Sequence, residues 1–262
     1  MSRGTLITIE GLDGAGKTTL AEALARELAG SGRPPTPGGH PSVSSGRRLT
    51  PGGHQSVSSG RRLTPGGRPS TPSGRPSTPS GRLPTPGGRP VRLLREPGGV
   101  HLSERIRELV KDPALTVSPQ AEALLYAAAR AQLVQERLGP LLAEGALVLL
   151  DRFVDSSLAY QGAGRELGVE RIRAINLFAT GALAPDRTLL LRISPTAGRA
   201  RQGTRALDPD RLEREGEEFF ARIAAAYEEL ARAEPGRIRT IDAEQSPERV
   251  LEDALAALAD LL

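Results

Sequence analysis

The stretch GLDGAGKT, residues 11–18, carries the clearest chemistry in the chain. It satisfies G-x-x-x-x-G-K-[ST] at every fixed position, a pattern in which Gly11 and Gly16 let backbone N–H groups turn inward around a polyphosphate. Lys17 then reaches the β and γ phosphates, and Thr18 offers its hydroxyl to Mg²⁺. The four variable positions are Leu12, Asp13, Gly14 and Ala15. None is basic, so a cation that neutralises the transferring phosphoryl group must come from another part of the chain. The loop identifies a nucleoside triphosphate as donor and leaves the acceptor open.

Such a loop needs a strand before it and a helix after it. LITIEG, residues 6–11, is an apolar run of strand length, and a helical pattern over 17–29 brings its positive dipole end to the phosphates. Further strands are expected at 91–95, 146–151, 188–193 and 238–242. Helices are expected at 103–110, 119–144, 171–180, 214–233 and 247–262. The alternation predicts an α/β P-loop NTPase fold, a mostly parallel five-stranded sheet flanked by helices, with ligands at the carboxyl ends of the strands.

Three more polar stretches fall at or near strand ends: REPGG (95–99), LLYAAARAQ (124–132) and DRFVDSSLAYQG (151–162). With the phosphate loop, their order and spacing resemble the bacterial thymidylate kinases across the whole chain except residues 35–90. The resemblance implies that Arg152 holds the acceptor phosphate while Asp151 positions it and the metal shell. It implies that Ser157 and Gln161 face the thymine edge and that Tyr160 faces the sugar. Tyr126 and Arg130, four apart on one helix face, would stack on the base and hydrogen-bond it; the family usually has Phe where this chain has Tyr126. Arg95 and Arg107 would lie near the acceptor phosphate, Glu96 beside the sugar, and Asp13 would accept a hydrogen bond from the 3′-hydroxyl. The segment AGRARQGTRALDPDRLE, 197–213, stands where the family has a mobile lid, which makes Arg199, Arg201, Arg205 and Arg211 candidates for the missing cation.

The reaction so implied is ATP + dTMP → ADP + dTDP, with Mg²⁺ as cofactor, in a cytoplasmic homodimer. A phosphate monoester is already an anionic nucleophile, so positioning and charge neutralisation suffice. Two other readings are a kinase for another nucleoside monophosphate or a nucleoside, and a non-catalytic nucleotide-binding protein whose Arg-rich loop docks an anionic partner.

Residues 35–90 interrupt this pattern. TPGGHPSVSSGRRL at 36–49 is repeated at 50–63 with Gln55 in place of Pro41, and two decayed copies follow. The segment holds 12 of the 22 prolines, eight Arg and no acidic residue, so the net charge of +4 leaves −4 on the remaining chain. Without aromatic or apolar faces it cannot offset a backbone ordering cost of about 1–2 kcal/mol per residue, which predicts disorder. It reads as a tandem expansion inside one domain whose core is 1–34 and 91–262. The alternative is an unspecific, salt-sensitive attraction to nucleic acid or an anionic membrane surface; no specific nucleic-acid binding is expected. There is no cysteine, which excludes disulfides and thiolate metal sites. No stretch approaches the roughly 20 apolar residues of a membrane span, so no membrane partner is expected.

Overall fold

The computed structural model describes residues 3–29, 88–203 and 210–262. The expectations for residues 35–87 and for Arg205 lie outside these.

Five strands, β1 (Thr5–Gly11), β2 (Val91–Arg95), β3 (Leu147–Asp151), β4 (Arg187–Arg192) and β5 (Ile238–Asp242), form one all-parallel sheet in the order β2-β3-β1-β4-β5. The central strands are nearly continuous apolar runs because both faces are covered. Alternation splits them cleanly: Ile7, Ile9, Leu147 and Leu149 join one core cluster, and Leu6, Val148 and Leu150 join the other. Thr8 and Glu10 share the face of Leu6, yet both are polar and fully buried. The register pairs Asp151 with both Ile9 and Arg95, so the carboxyl ends of β1, β2 and β3 lie side by side.

Nine α-helices are seen among the described residues. α1 (Lys17–Leu28) starts from Gly16 at φ 89°, has no acidic residue in its first turn, and buries Leu20, Ala21, Leu24, Ala25 and Leu28. α2 (His101–Lys111) packs on α3 (Pro119–Leu133). α3 starts where the sequence places it, because Ser118 caps the Ala121 N–H and Pro119 occupies the first turn. The helix expected to run unbroken to 144 instead widens into a π turn at Val134–Leu138 before α4 (Gly139–Ala143). Pro140 supplies the reason: it has no N–H and its ring crowds the carbonyl four residues earlier, and the Gly139 amide reaches back to Val134 O.

Three elements went unread. α5 (Val154–Ser157) leads into a second π stretch, Leu158–Gly164, and α7 (Pro195–Gly203) begins the segment compared with a lid. Each is short, and the π stretch and α7 contain glycine, so there is no amphipathic period to betray them. α6 (Val169–Thr180), α8 (Glu217–Ala233) and α9 (Pro247–Leu258) match their expected positions with small shifts at the ends. α8 starts later than expected because Asp210 Oδ1 accepts from the N–H groups of Leu212 and Glu213, at 3.0 and 3.1 Å, and ties residues 210–213 into a turn.

Candidate active site

A cleft of about 260 Å³ opens at the carboxyl ends of β1, β2 and β3. Its floor is the phosphate loop. Gly11 and Gly14 have φ values of 134° and 83°, and a Cβ at either would lie 2.4 Å from Leu191 O or 2.3 Å from Gly198 O. Helix α7 therefore touches the loop backbone directly, at a position only glycine fills. Lys17, 8% exposed, donates from Nζ to Leu12 O at 2.8 Å and stands 3.8 Å from Asp13 Oδ1. Burial and the nearby Arg152 draw its pKa down to about 8 against the pull of Asp13, Asp151 and Glu10.

Asp13 and Arg152 are locked together. Arg152 adopts φ 69°, a left-handed conformation rare for a non-glycine residue. Its guanidinium donates to Asp13 Oδ1, to Gly11 O at 3.2 Å and to Ser156 Oγ at 3.0 Å, and lies 5.0 Å from the Tyr160 ring centroid. Tyr160 donates its hydroxyl to Asp13 Oδ2 at 2.9 Å. Burial would raise the Asp13 pKa, but Arg152, Lys17 and these hydrogen bonds hold it well below the usual carboxylate range.

Beneath this pair lies Glu10, which the motif reading passed over. Its carboxylate accepts from Phe153 N at 2.7 Å, Ser156 Oγ at 2.5 Å and Tyr227 Oη at 3.0 Å. It thereby pins the turn that carries Arg152. Burial and then repulsion from Asp155 push its pKa up to about 7. A charged residue directly before the loop, on the alternation face of Leu6 and Thr8, was the available signal.

The acceptor side is built from β2, α2, α3 and the π stretch. Arg95, which donates to Glu104 at 3.0 Å, and Arg107, which donates to Pro97 O at 3.0 Å, both line the cleft. Burial and the like charge of Arg95 lower the Arg107 pKa, an arrangement that a bound anion relieves. Tyr126 lines the cleft, and its hydroxyl has no hydrogen-bond partner among the described residues; burial raises its pKa, so the ring stays neutral.

Arg130 is 2% exposed and saturated by the protein. Nε donates to Glu96 Oε2 at 2.7 Å, Nη1 to Ser157 Oγ at 2.9 Å and to Asn176 Oδ1, and Nη2 to Phe153 O at 2.9 Å. It organises the wall of the cleft as much as it faces it. Asn176 lay unremarked in an ordinary helical pattern. Glu96 Oε1 is buried with no partner, and burial outweighs Arg130 to raise the Glu96 pKa. Gln161 and Ser157 line the same wall.

Of the lid arginines within the described residues, none lines the cleft. Arg199 donates to Glu215 O and lies 5.1 Å from the Phe220 ring centroid, Arg201 donates to Ala243 O at 2.8 Å, and Arg211 donates to Glu122 at 2.7 Å. For a metal, Thr18 Oγ1 and Asp151 Oδ2 are hydrogen-bonded at 2.7 Å at the mouth of the loop. No group of three or more His, Cys, Asp or Glu suited to a metal occurs among the described residues. One hydroxyl and one carboxylate beside a phosphate cradle fit an ion such as Mg²⁺, which keeps waters and takes substrate oxygens as ligands.

A family model described as Thymidylate kinase matches residues 81–254. The thymidylate kinase of Deinococcus radiodurans is 37% identical over 260 residues, covering 99% of this chain and 98% of that protein. The chain belongs to the thymidylate kinase family. The family match begins at residue 81, and the alignment with the Deinococcus radiodurans protein, which covers 99% of this chain, also takes in the phosphate loop. The Bacillus licheniformis thymidylate kinase is likewise 37% identical, over 95% of this chain, and the Oenococcus oeni thymidylate kinase is 46% identical over 64% of it and 80% of that protein. The crystal structure of thymidylate kinase from Ehrlichia chaffeensis superposes with a TM-score of 0.61 at 23% identity, over 97% of this chain and 99% of that one. This last likeness concerns the fold. The kinase is thus a P-loop phosphotransferase with a five-stranded parallel sheet, as its sequence predicted.

Proposed function

We propose that this enzyme transfers the γ-phosphoryl group of ATP to dTMP, using the cleft residues in the roles that follow. The observation that carries the reading is the convergence of Lys17, Arg152 and Asp13 with Tyr126, Ser157 and Gln161 in one cleft. Lys17 exchanges its contact with Leu12 O for the donor phosphates, helped by the loop amides and the start of α1. Arg152, Arg95 and Arg107 hold the acceptor phosphate in line. Tyr126 stacks on the thymine, Ser157 and Gln161 meet its edge, Glu96 and Tyr160 lie beside the sugar, and Asp13 accepts from the 3′-hydroxyl while keeping Arg152 in place. Thr18 and Asp151 hold Mg²⁺, which supplies charge neutralisation on the phosphates when bound.

The remaining cation comes from the lid. Arg199, Arg201, Arg205 and Arg211 are its candidates, and whichever of the described three acts must exchange its present partner on closure. We also propose a cytoplasmic homodimer. The apolar side chains of Phe178, 94% exposed, Leu177 on α6 and Leu124 on α3 lie open on two helices that pack together, and a second copy is the occupant they fit. No helix of the described residues is long and apolar enough to cross a membrane.

The test is ADP formation with ATP and Mg²⁺, offering dTMP, dUMP, CMP, AMP, GMP and thymidine in parallel. Strong preference for dTMP supports the assignment. Preference for another acceptor keeps the donor site and rejects the base contacts.

A further inference from the structure

Glu122 has no place in the motifs, yet it is one of the most completely buried side chains in the molecule, with 0% exposure. It stands on α3 four residues before Tyr126 and eight before Arg130, on the stripe that faces the cleft wall. Its Oε2 accepts from Arg165 Nη2 at 3.1 Å and Arg211 Nη2 at 2.7 Å. Oε1 accepts from Gln161 Nε2 at 2.9 Å and, at 3.3 Å, shares the Arg165 Nε–H with Oε2.

The two ends of the Gln161 amide are chemically opposite. A carboxylate paired with two guanidinium groups accepts and does not donate, so only the NH₂ end of Gln161 can face Glu122. The carbonyl end, Oε1, is then the group left for a ligand, and it has no partner among the described residues although Gln161 is only 2% exposed and lines the cleft.

We propose that Glu122 is a positioning residue that sets base specificity by fixing the orientation of the Gln161 amide. The inference rests on the reading above that Gln161 meets the base. A fixed carbonyl accepts from the N3–H of thymine. Cytosine offers a lone pair at N3, and two acceptors would face each other. Flipping the amide would satisfy cytosine but turn the carbonyl onto the Glu122 carboxylate, a buried clash of the same kind. A site built around one hydrogen-bond polarity discriminates strongly because the wrong partner leaves buried groups unpaired.

Glu122→Gln tests this directly. The new amide keeps its oxygen on the arginine side and turns its NH₂ toward Gln161, which then presents NH₂ to the base. The ratio of kcat/KM for dTMP to that for dCMP should fall by at least about tenfold, with dCMP turnover rising in absolute terms, a change that mere loosening of the fold does not produce. Glu122→Asp keeps the charge for Arg165 and Arg211 but shortens the reach, and should lower the same ratio less; it serves if the first variant does not fold. Gln161→Ala is run alongside. If it leaves KM for dTMP unchanged, the base-site reading fails and the proposal with it. If Gln161→Ala raises KM while the dTMP-to-dCMP ratio survives in the Glu122 variant, the role given to Glu122 alone is overturned.

Discussion

Lys17 shows how burial tunes a phosphate ligand. Its folded pKa of about 8 lies below the ordinary 10.5, so between these values the folded enzyme binds fewer protons than the unfolded chain, and this group makes the free enzyme more stable as pH rises through that window. Catalysis runs the other way, because phosphate binding needs the ammonium. We expect kcat/KM for ATP to fall as pH rises above about 8, and a flat profile to pH 10 would reject Lys17 as the donor-phosphate ligand. Lys17→Ala should lower kcat by about 10²–10³-fold, with circular dichroism unchanged. Tyr126 makes a second prediction. Since its hydroxyl has no partner among the described residues, Tyr126→Phe should change KM for dTMP by less than about twofold, whereas Tyr126→Ala should cost the stacking, roughly 1–3 kcal/mol. Lys17, Thr18, Arg152, Tyr126, Ser157 and Gln161 reached the cleft because their types are demanded by phosphate and base chemistry, whereas the described arginines of the 197–213 segment did not. Glu122 and Asn176 could not be named that way: a buried polar residue on a helix takes its meaning from the partner across it, which sequence spacing does not supply.

Among the elements, the π stretch Leu158–Gly164 does the least conventional work. Its widened turn lets Tyr160 reach Asp13 and the next residue, Gln161, reach Glu122. Gly164 makes room for this: a Cβ there would meet Phe219 Cε2 at 2.8 Å and Ile223 Cγ1 at 3.0 Å. Gly164→Ala should destabilise the fold by about 1–3 kcal/mol and raise KM for dTMP, measured by denaturant melts and initial rates; a variant of unchanged stability and KM would show that the stretch yields. The central strands β1, β3 and β4 were readable because doubly covered parallel strands are largely apolar runs, and the capped starts of α3 and α9 fall at Ser-Pro pairs. A π stretch has no such signature, and its glycines lower the helix propensity that would have announced it.

For the whole molecule, order in the sheet explains why distant segments meet: β3 stands between β1 and β2, so residues near 11, 95 and 151 share one edge of the cleft. The proposed dimer makes a separate prediction. Light scattering should give a dimer mass for the natural chain and a monomer mass for Phe178→Glu, and a variant that remains dimeric would move the interface to another face.

The anchors of the repeat segment bear on the same geometry. α1 runs from the phosphate loop back to the opposite end of the sheet, and there Arg89 donates to Thr5 Oγ1 and Leu261 O, both at 3.1 Å, while Pro90 O accepts from Leu147 N. Ala29 and Gly88 thus leave and re-enter at the amino pole of the strands, and the phrase GRP at 32–34 is the same in sequence as the one at 88–90. Both described flanks of the repeat phrases therefore stand a full strand's length from the phosphate loop, and a protein lacking 35–90 is expected to keep its KM for ATP and dTMP, which initial rates would check.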